Sequence, residues 1–160
     1  MKRLKELDLV PFLQNFSHTE KPLLGICLGM QMLFTDSDEF GHSTGLSLLP
    51  GHITRLDANT LHKIALPHIG WSQLKPTRHL DRTILEGVQE SNQFYFIHSF
   101  ALVEPNADYQ LSHSEYQGIQ FCSTVQSKQI IGCQYHPEKS GKHGLKIIGN
   151  FVNLCKRAQL

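Results

Sequence analysis

A short pattern around Cys27 constrains the fold more than any other feature of the chain. Residues 23–26 form an apolar run that leads into Cys27, and Gly25 and Gly29 flank the cysteine two positions away on either side. This is the cysteine form of G-x-S-x-G, the nucleophile elbow, in which a strand turns tightly into a helix and exposes the nucleophile. Small neighbours avoid clashes in so tight a turn. Strand, turn and helix in this order predict an α/β unit.

The same position predicts chemistry for Cys27. A thiol at the start of a helix faces the positive end of the helix dipole, so we expect its pKa to be lowered. Backbone N–H groups at a helix start can also hold an oxyanion. A buried strand cysteine before a glycine-initiated helix is the plain structural alternative, and this pattern alone leaves both interpretations open.

The remaining pattern predicts one α/β domain over residues 1–160, with several antiparallel strands in its second half. Pro11 interrupts the helical spacing of residues 4–16, so we expect one helix to end near Leu9 and a short helical turn to follow. β-prone runs at 53–56, 94–100, 119–125 and 130–135 predict strands. A closing helix is predicted over residues 144–160. Its expected apolar face comprises Leu145, Ile148, Phe151, Val152 and Cys155.

Composition excludes several classes of protein. With 15 basic and 14 acidic side chains the net charge is +1, so the chain lacks the basic field that nucleic-acid binding needs. No apolar stretch is long enough to span a membrane. The four cysteines show no C-x-x-C spacing and the ten histidines no metalloprotease spacing. These features predict reduced thiols in a cytoplasmic protein without metal or cofactor.

A second motif lies near the C-terminus, at residues 134–138, with the sequence Gln-Tyr-His-Pro-Glu. His136 follows a β-prone run, so its imidazole can lie at a strand end and take the Cys27 proton. Glu138 is two residues further on, and Pro137 restricts the backbone between them. A carboxylate at this spacing can orient the imidazole. His-Pro-Glu alone is also compatible with an ordinary loop.

Together the two motifs resemble the class I glutamine amidotransferases in order and spacing. Within this class the chain is similar to the glutaminase subunit of imidazole glycerol phosphate synthase, from histidine biosynthesis. The resemblance implies an α/β, flavodoxin-like three-layer sandwich with additional antiparallel strands. The blocks that carry it lie at residues 22–34, 45–51, 67–71, 95–99 and 134–140, and Pro-His-x-Gly-Trp at 67–71 is the most specific of them.

The resemblance implies a catalytic triad of Cys27, His136 and Glu138. In this family the cysteine attacks the carboxamide of glutamine, releases ammonia and leaves a γ-glutamyl thioester that water hydrolyses. Leu28 matches the position whose backbone N–H contributes to the oxyanion hole. Gly29 matches the position that lets the substrate approach.

Further residues match substrate positions of the family. Gln31, Glu39 and Ser99 correspond to residues that hold glutamine. Each also has an ordinary interpretation, as a helix residue, a solvated loop acid and a strand hydroxyl. Phe100 stands where the family often has tyrosine, so a hydroxyl contact there is absent or replaced.

Two residues match positions at the interface with a cyclase partner. They are Trp71, expected in a loop because glycine precedes it, and Lys139. The partner is a (β/α)₈ barrel that receives the ammonia through its interior. Because ammonia released into water becomes ammonium, the mechanism implies a docked heterodimer and no nucleic-acid or membrane partner.

The start of the chain departs from the family pattern. The family begins with a strand, a helix and a Pro-Gly-rich loop whose backbone helps to form the oxyanion hole, whereas Met1 lies in the helix after that loop. We therefore expect a fold without the first βα units, and a protein that begins upstream or is a fragment here. Loss of one oxyanion donor typically costs about 10²–10³ in rate.

Three alternatives stay open on the sequence. A paralogous amidotransferase that feeds ammonia to a sugar-modifying synthase shares these blocks. A weakened, non-catalytic binding subunit is favoured by the missing first units. A cysteine peptidase of similar fold is disfavoured by Gln31 and by the block at 67–71.

Overall fold

The computed structural model describes residues 1–58 and 64–158. Its helices are α1 (Lys2–Glu6), α2 (Leu9–Ser17), α3 (Leu28–Met32) and α4 (Gly141–Arg157), with a 3-10 turn at Pro137–Lys139. Its strands are β1 (Leu23–Ile26), β2 (Asp36–Ser37), β3 (Ser43–Thr44), β4 (His52–Arg55), β5 (His68–Gln73), β6 (Lys75–Pro76), β7 (Gln93–His98), β8 (Phe100–Ala101), β9 (Gln110–Tyr116), β10 (Ile119–Ser127) and β11 (Ile130–Cys133).

A mixed five-stranded sheet forms the centre, in the order β1-β11-β10-β9-β6. β1 runs parallel to β11, with Gly25 opposite Gly132 and Ile26 opposite Cys133. β11, β10, β9 and β6 are joined by antiparallel pairs. The strands β3-β2-β4-β8 form a second sheet, and β5 and β7 a two-stranded antiparallel ribbon. The predicted α/β fold with additional antiparallel strands is confirmed.

Alternating side chains of the central sheet separate two hydrophobic clusters. On one face Leu24 and Ile131 pack with Phe121 and with Ile147 of α4. On the other, Leu23 and Ile130 pack in the cluster that contains Met30 of α3 and to which α1 and α2 contribute side chains. Because successive strand residues point to opposite faces, these pairs place helices on both sides of the sheet. The result is the three-layer arrangement.

The helices differ from the sequence prediction in two details. The break in the N-terminal helical region falls at Leu7 and Asp8, and Asp8 has a left-handed backbone (φ 53°). Pro11 lies in the first turn of α2, where a proline removes no helical hydrogen bond. The expectation of a helix ending near Leu9, followed by only a short turn, was therefore wrong.

The predicted apolar face of the closing helix was wrong in part, although Phe151 of that face packs against the hydrophobic cluster that contains Ile147. Leu145 and Val152 are exposed, whereas Gly144, Ile147 and Asn150 are buried. Asn150 lies on the buried side because its Nδ2 donates to the carbonyls of Ile84 (2.9 Å) and Glu86 (2.8 Å). α4 begins at Gly141. The last two positions of the predicted helix, 159 and 160, lie outside the described residues.

The strands β5 and β9 escaped the sequence prediction, as did the two-residue strands β2, β3 and β6. β9 is rich in polar residues, but Ser112 and Ser114 are fully buried in it. The Ser112 hydroxyl bonds those of Ser123 (2.9 Å) and Thr124 (2.8 Å), and Ser114 donates to the Gln73 carbonyl (2.7 Å). Such pairing allows a polar strand in a core. β5 contains Trp71, which was expected in a loop.

Within residues 1–58 and 64–158, no helix has the length and apolar character needed to cross a membrane.

His52 links β4 to β2 in the second sheet, next to the segment that carries Glu39. Its Nδ1 contacts the Asp36 carboxylate closely, and its Nε2 lies 2.9 Å from Asp38 Oδ2. The hydrogen bond with Asp36, followed by that with Asp38, raises the pKa of the His52 imidazole. β2 and β4 are parallel neighbours, so His52 ties their ends together.

The stability that His52 contributes should therefore depend on pH. A raised folded-state pKa stabilises the fold below the unfolded pKa of about 6.5, and this contribution is lost as pH rises through the raised value. We expect His52→Ala to lower the melting temperature by about 1–3 °C near pH 6 and by less near pH 9, since exposed pairs are screened. Thermal unfolding of His79→Ala, at an exposed histidine, is the control. An equal loss at both pH values would contradict the assignment.

Candidate active site

The elbow has the strained geometry that its sequence predicts. Cys27 joins β1 to α3 with φ 49° and ψ −108°, and its N–H donates to the Cys133 carbonyl at 2.7 Å. A Cβ on Gly25 would lie 2.6 Å from the backbone of Gly29. A Cβ on Gly29 would meet nothing within 4 Å. The two glycines thus differ: close packing requires Gly25, whereas Gly29 leaves open space beside the nucleophile.

The expected lowering of the Cys27 pKa was wrong. Burial raises the pKa of this half-buried thiol, and the carboxylates of Glu138 and Glu39 raise it further. The Leu28 backbone N–H and the Gln134 side chain act in the opposite direction without compensating. α3 has only five residues, so it offers little dipole to offset the loss of water.

His136 and Glu138 lie at the same edge of the sheet as Cys27. β1 and β11 are parallel and end opposite one another, and His136 follows β11 by three residues. The His136 N–H donates to the Tyr95 carbonyl at 2.9 Å, and its Nδ1 lies 2.6 Å from Glu138 Oε1. A proton on Nδ1 satisfies the carboxylate and leaves Nε2 free to accept another. An imidazole oriented by a carboxylate in this way can act as a general base.

An open cavity of about 520 Å³ lies beside the thiol. The predicted site residues that line it are Cys27, Leu28, Gln31, Glu39 and Ser99. Its volume lies in the range of small-molecule sites. Gly29, His136 and Glu138 border the elbow without lining this cavity, and Trp71 and Lys139 lie outside it.

Two residues near the thiol were not singled out from the sequence. Gln134 is fully buried, and its Nε2 lies 3.7 Å from Cys27 Sγ. His98 is buried and also lines the cavity. Both lie inside the sequence blocks that carry the family resemblance. For Gln134, the sequence signal was its position two residues before His136. The thiol itself donates to the Ile97 carbonyl at 3.8 Å.

Gln31 and Phe100 are joined through the Phe100 backbone. Gln31 Nε2 donates to the Phe100 carbonyl at 2.8 Å and to Gln134 Oε1 at 3.1 Å. Both amide hydrogens of Gln31 are thereby used, which leaves its Oε1 to accept from a ligand in the cavity. The role of residue 100 here comes from its carbonyl, which a phenylalanine supplies as well as a tyrosine.

The outer face of the β5–β7 ribbon is apolar and exposed. Ile69, Trp71 and Ile97 are each more than a third exposed, and Ile69 pairs with Ile97 across the ribbon. The Trp71 ring meets Tyr95 edge-on at 5.7 Å between centroids, and Lys139 Nζ lies 5.9 Å from the centre of the same Tyr95 ring. The structure thus brings Trp71 and Lys139 together around Tyr95. We call these five residues the outer patch.

The different surroundings of Gly25 and Gly29 give a testable contrast. We expect Gly25→Ala to cost about 1–3 kcal/mol of unfolding free energy, because the added methyl group would overlap the Gly29 backbone. Gly29→Ala should leave stability unchanged or raise it by up to about 1 kcal/mol through helix propensity. Urea unfolding of both variants measures the difference. Equal destabilisation would show that the turn is not packed as described.

Residues 6–154 match the family described as Glutamine amidotransferase class-I. The imidazole glycerol phosphate synthase subunit HisH 1 of Legionella pneumophila (strain Lens) is 38% identical over 161 residues, covering 96% of this chain and 75% of that protein. The HisH subunit of Archaeoglobus fulgidus is 45% identical over 138 residues, covering 86% of this chain and 66% of that protein.

A solved structure supports the fold independently. The crystal structure of a glutamine amidotransferase superimposes with a TM-score of 0.68 at 15% identity, over 97% of this chain and 72% of the other. At this identity the likeness concerns the fold. From the family match and the HisH relatives, we conclude that the chain belongs to the class I glutamine amidotransferases, among the HisH subunits of imidazole glycerol phosphate synthase.

Proposed function

We propose that this chain hydrolyses glutamine as the glutaminase subunit of a two-subunit imidazole glycerol phosphate synthase. Cys27 is the nucleophile, His136 the general base and acid, and Glu138 the carboxylate that orients it. The observation that carries the proposal is the parallel β1–β11 edge, where the strained Cys27 elbow adjoins the His136–Glu138 pair. The names of the HisH relatives supply the synthase, and the family resemblance implies the histidine pathway and the cyclase partner.

The reaction follows from these groups. His136 takes the Cys27 proton, and the thiolate attacks the carboxamide carbon of glutamine. The resulting oxyanion meets the Leu28 backbone N–H at the start of α3. When the tetrahedral intermediate collapses, the C–N bond breaks and His136 returns the proton to nitrogen. Ammonia departs, and a γ-glutamyl thioester remains on Cys27. Water, activated by His136, then attacks the thioester, which releases glutamate and restores the thiol.

The cavity provides the remaining substrate contacts. Glu39 is the anionic group suited to the α-ammonium of glutamine. Gln31 Oε1 can accept a hydrogen bond from the substrate, and the Ser99 hydroxyl can donate or accept one. Phe40, fully exposed beside Glu39, borders the cavity mouth. The open space at Gly29 allows the carboxamide to approach the thiol.

A cyclase partner of (β/α)₈ fold is proposed to dock on the outer patch as the second subunit of a heterodimer. The Ile97 carbonyl receives the thiol hydrogen while the Ile97 side chain is exposed in the patch. Ammonia formed at Cys27 therefore arises close to this surface, and a partner covering it can collect the ammonia before water protonates it. Exposed aromatic and apolar side chains are typical anchors of such interfaces.

We further propose a single glutaminase domain over residues 1–160 that works in the cytoplasm without a cofactor. The four cysteines are free, which suits a reducing compartment.

The first test measures glutamate released from glutamine, by the chain alone and with the cyclase subunit and its nucleotide ligand. We expect release to depend on the partner. Cys27→Ser should abolish it, by about 10³-fold or more, because a serine hydroxyl is a far poorer nucleophile here. Cys155→Ser, at a half-buried cysteine of α4, is the matched control and should keep full activity.

Other outcomes separate the alternatives. Full activity of Cys27→Ser would contradict the mechanism. A complex that binds the cyclase without turning over glutamine would favour a non-catalytic subunit. Ammonia transfer to a sugar-modifying synthase in place of the cyclase would favour the paralogous amidotransferase, and peptide hydrolysis would favour a peptidase.

The outer patch gives a separate prediction. Trp71→Ala should weaken binding of the cyclase by about 10-fold or more, since truncated aromatic anchors at interfaces often cost over 1 kcal/mol. Phe12→Ala is the control, because Phe12 on α2 is 59% exposed and Trp71 53%. Titration calorimetry measures both affinities. Equal weakening by the two substitutions would place the partner elsewhere.

A further inference from the structure

A continuous series of buried and partly buried hydrogen bonds joins the Cys27 thiol to the ribbon strand β5. We call it the buried polar chain. In order from the thiol, its members are Gln134, Gln31, the Phe100 carbonyl, His98, His68 and Ser72. Only Gln31 has an expected part in the reaction described above, so the remaining members call for an explanation.

The near end fixes the orientation of the Gln134 amide. Gln31 Nε2 uses its two hydrogens on Phe100 O and on Gln134 Oε1. The oxygen of Gln134 must therefore face Gln31, because a reversed amide would set NH₂ against NH₂. The NH₂ group of Gln134 is then directed to Cys27 Sγ, at 3.7 Å. The oxygen and the NH₂ group of the Gln134 amide therefore cannot exchange positions.

The far end holds the Phe100 carbonyl in place. His98 Nδ1 lies 3.0 Å from that carbonyl, which can only accept, so Nδ1 carries the hydrogen. His98 Nε2 then accepts from His68 Nδ1 (3.2 Å), and His68 Nε2 accepts from the Ser72 hydroxyl (3.2 Å). Burial lowers the pKa of His98 to about 3 and that of His68 to about 4, so both imidazoles are neutral. With the hydrogen on Nδ1 of both histidines, every hydrogen bond in this part of the chain has one donor and one acceptor.

We propose that Gln134 is a positioning residue for the nucleophile, and that the buried polar chain holds its amide in the orientation that donates to the Cys27 thiolate. The role of Cys27 as nucleophile rests on the proposed function. A buried donor aimed at sulfur favours the charged form and fixes its direction, and it opposes the burial that disfavours the thiolate. Such a fully satisfied buried network also keeps a single geometry.

The test follows the ionisation of Cys27 directly. The rate of alkylation of Cys27 by iodoacetamide is measured against pH in a Cys155→Ser background, by mass spectrometry of the Cys27 peptide. Cys122 and Cys133 are fully buried, with pKa values that burial raises, so they react little. The other titratable or charged groups around the thiol line the cavity, act on the thiol or pair with Glu138, and the same set is present in every variant: Met1, Lys2, Asp36, Glu39, His98, His136 and Glu138.

Gln134→Met removes the donor and keeps the side-chain size. We expect the alkylation midpoint to move to higher pH, and the rate below the midpoint to fall about 10-fold, as for loss of a hydrogen bond to a charged group. Gln126→Met is the matched control. Gln126, on β10, accepts from the Ile84 N–H at 2.9 Å, so its loss perturbs the same sheet away from the thiol.

The outcomes are decisive. A raised midpoint in Gln134→Met with an unchanged midpoint in Gln126→Met supports the proposal, whatever their melting temperatures. An unchanged midpoint in Gln134→Met overturns it and reduces Gln134 to a packing residue. Should Gln134→Met not fold, Gln31→Met tests the same chain, because it frees the Gln134 amide to turn away, and an unchanged midpoint there again overturns the proposal. Since alkylation needs no turnover, a chain without glutaminase activity still gives a clear answer.

Discussion

The parallel pairing of β1 with β11 is the constraint on which the rest of the site depends. Ile26 lies opposite Cys133, and the Cys27 N–H donates the last hydrogen bond between the two strands to the Cys133 carbonyl. Both strands therefore end at one edge, where α/β folds place their ligands. The residues that follow β11 put an amide, an imidazole and a carboxylate there within five positions. A register shift of one residue would reverse their side chains.

The Cys27 environment combines opposing effects. The elbow backbone is strained, at a typical cost of about 1–3 kcal/mol, and burial together with two carboxylates disfavours the thiolate. Only donated hydrogen bonds act the other way, from Leu28 and Gln134. In the proposed mechanism such a thiol stays largely protonated until His136 takes its proton, so its reactivity depends on His136 and on the donors together. The positioning of those donors therefore has consequences for rate as well as for structure.

Much of this site could be predicted because its parts are local in sequence. The elbow needs five consecutive residues, and His-Pro-Glu needs three. Prediction failed where a polar side chain is buried because it bonds a residue distant in sequence. Asn150 lies on the buried face of α4 because it donates to the carbonyls of Ile84 and Glu86. The buried serines of β9 bond partners on neighbouring strands. Gln134 escaped for the same reason, since its oxygen partner, Gln31, lies 103 residues away. Hydropathy patterns carry no information about such pairs.

The β5–β7 ribbon relates the surface to the chemistry through its alternating side chains. Its outer face carries Trp71 and Ile97, and its inner face carries His68 and His98 of the buried polar chain. Ile97 contributes to both the outer patch and the site, because its side chain is exposed while its carbonyl accepts the hydrogen of the Cys27 thiol. One residue therefore separates the proposed docking surface from the nucleophile. A partner that displaced β7 by about 1 Å would alter that hydrogen bond directly, since such bonds weaken steeply with geometry. Communication between the proposed partner and Cys27 thus requires no long path through the fold.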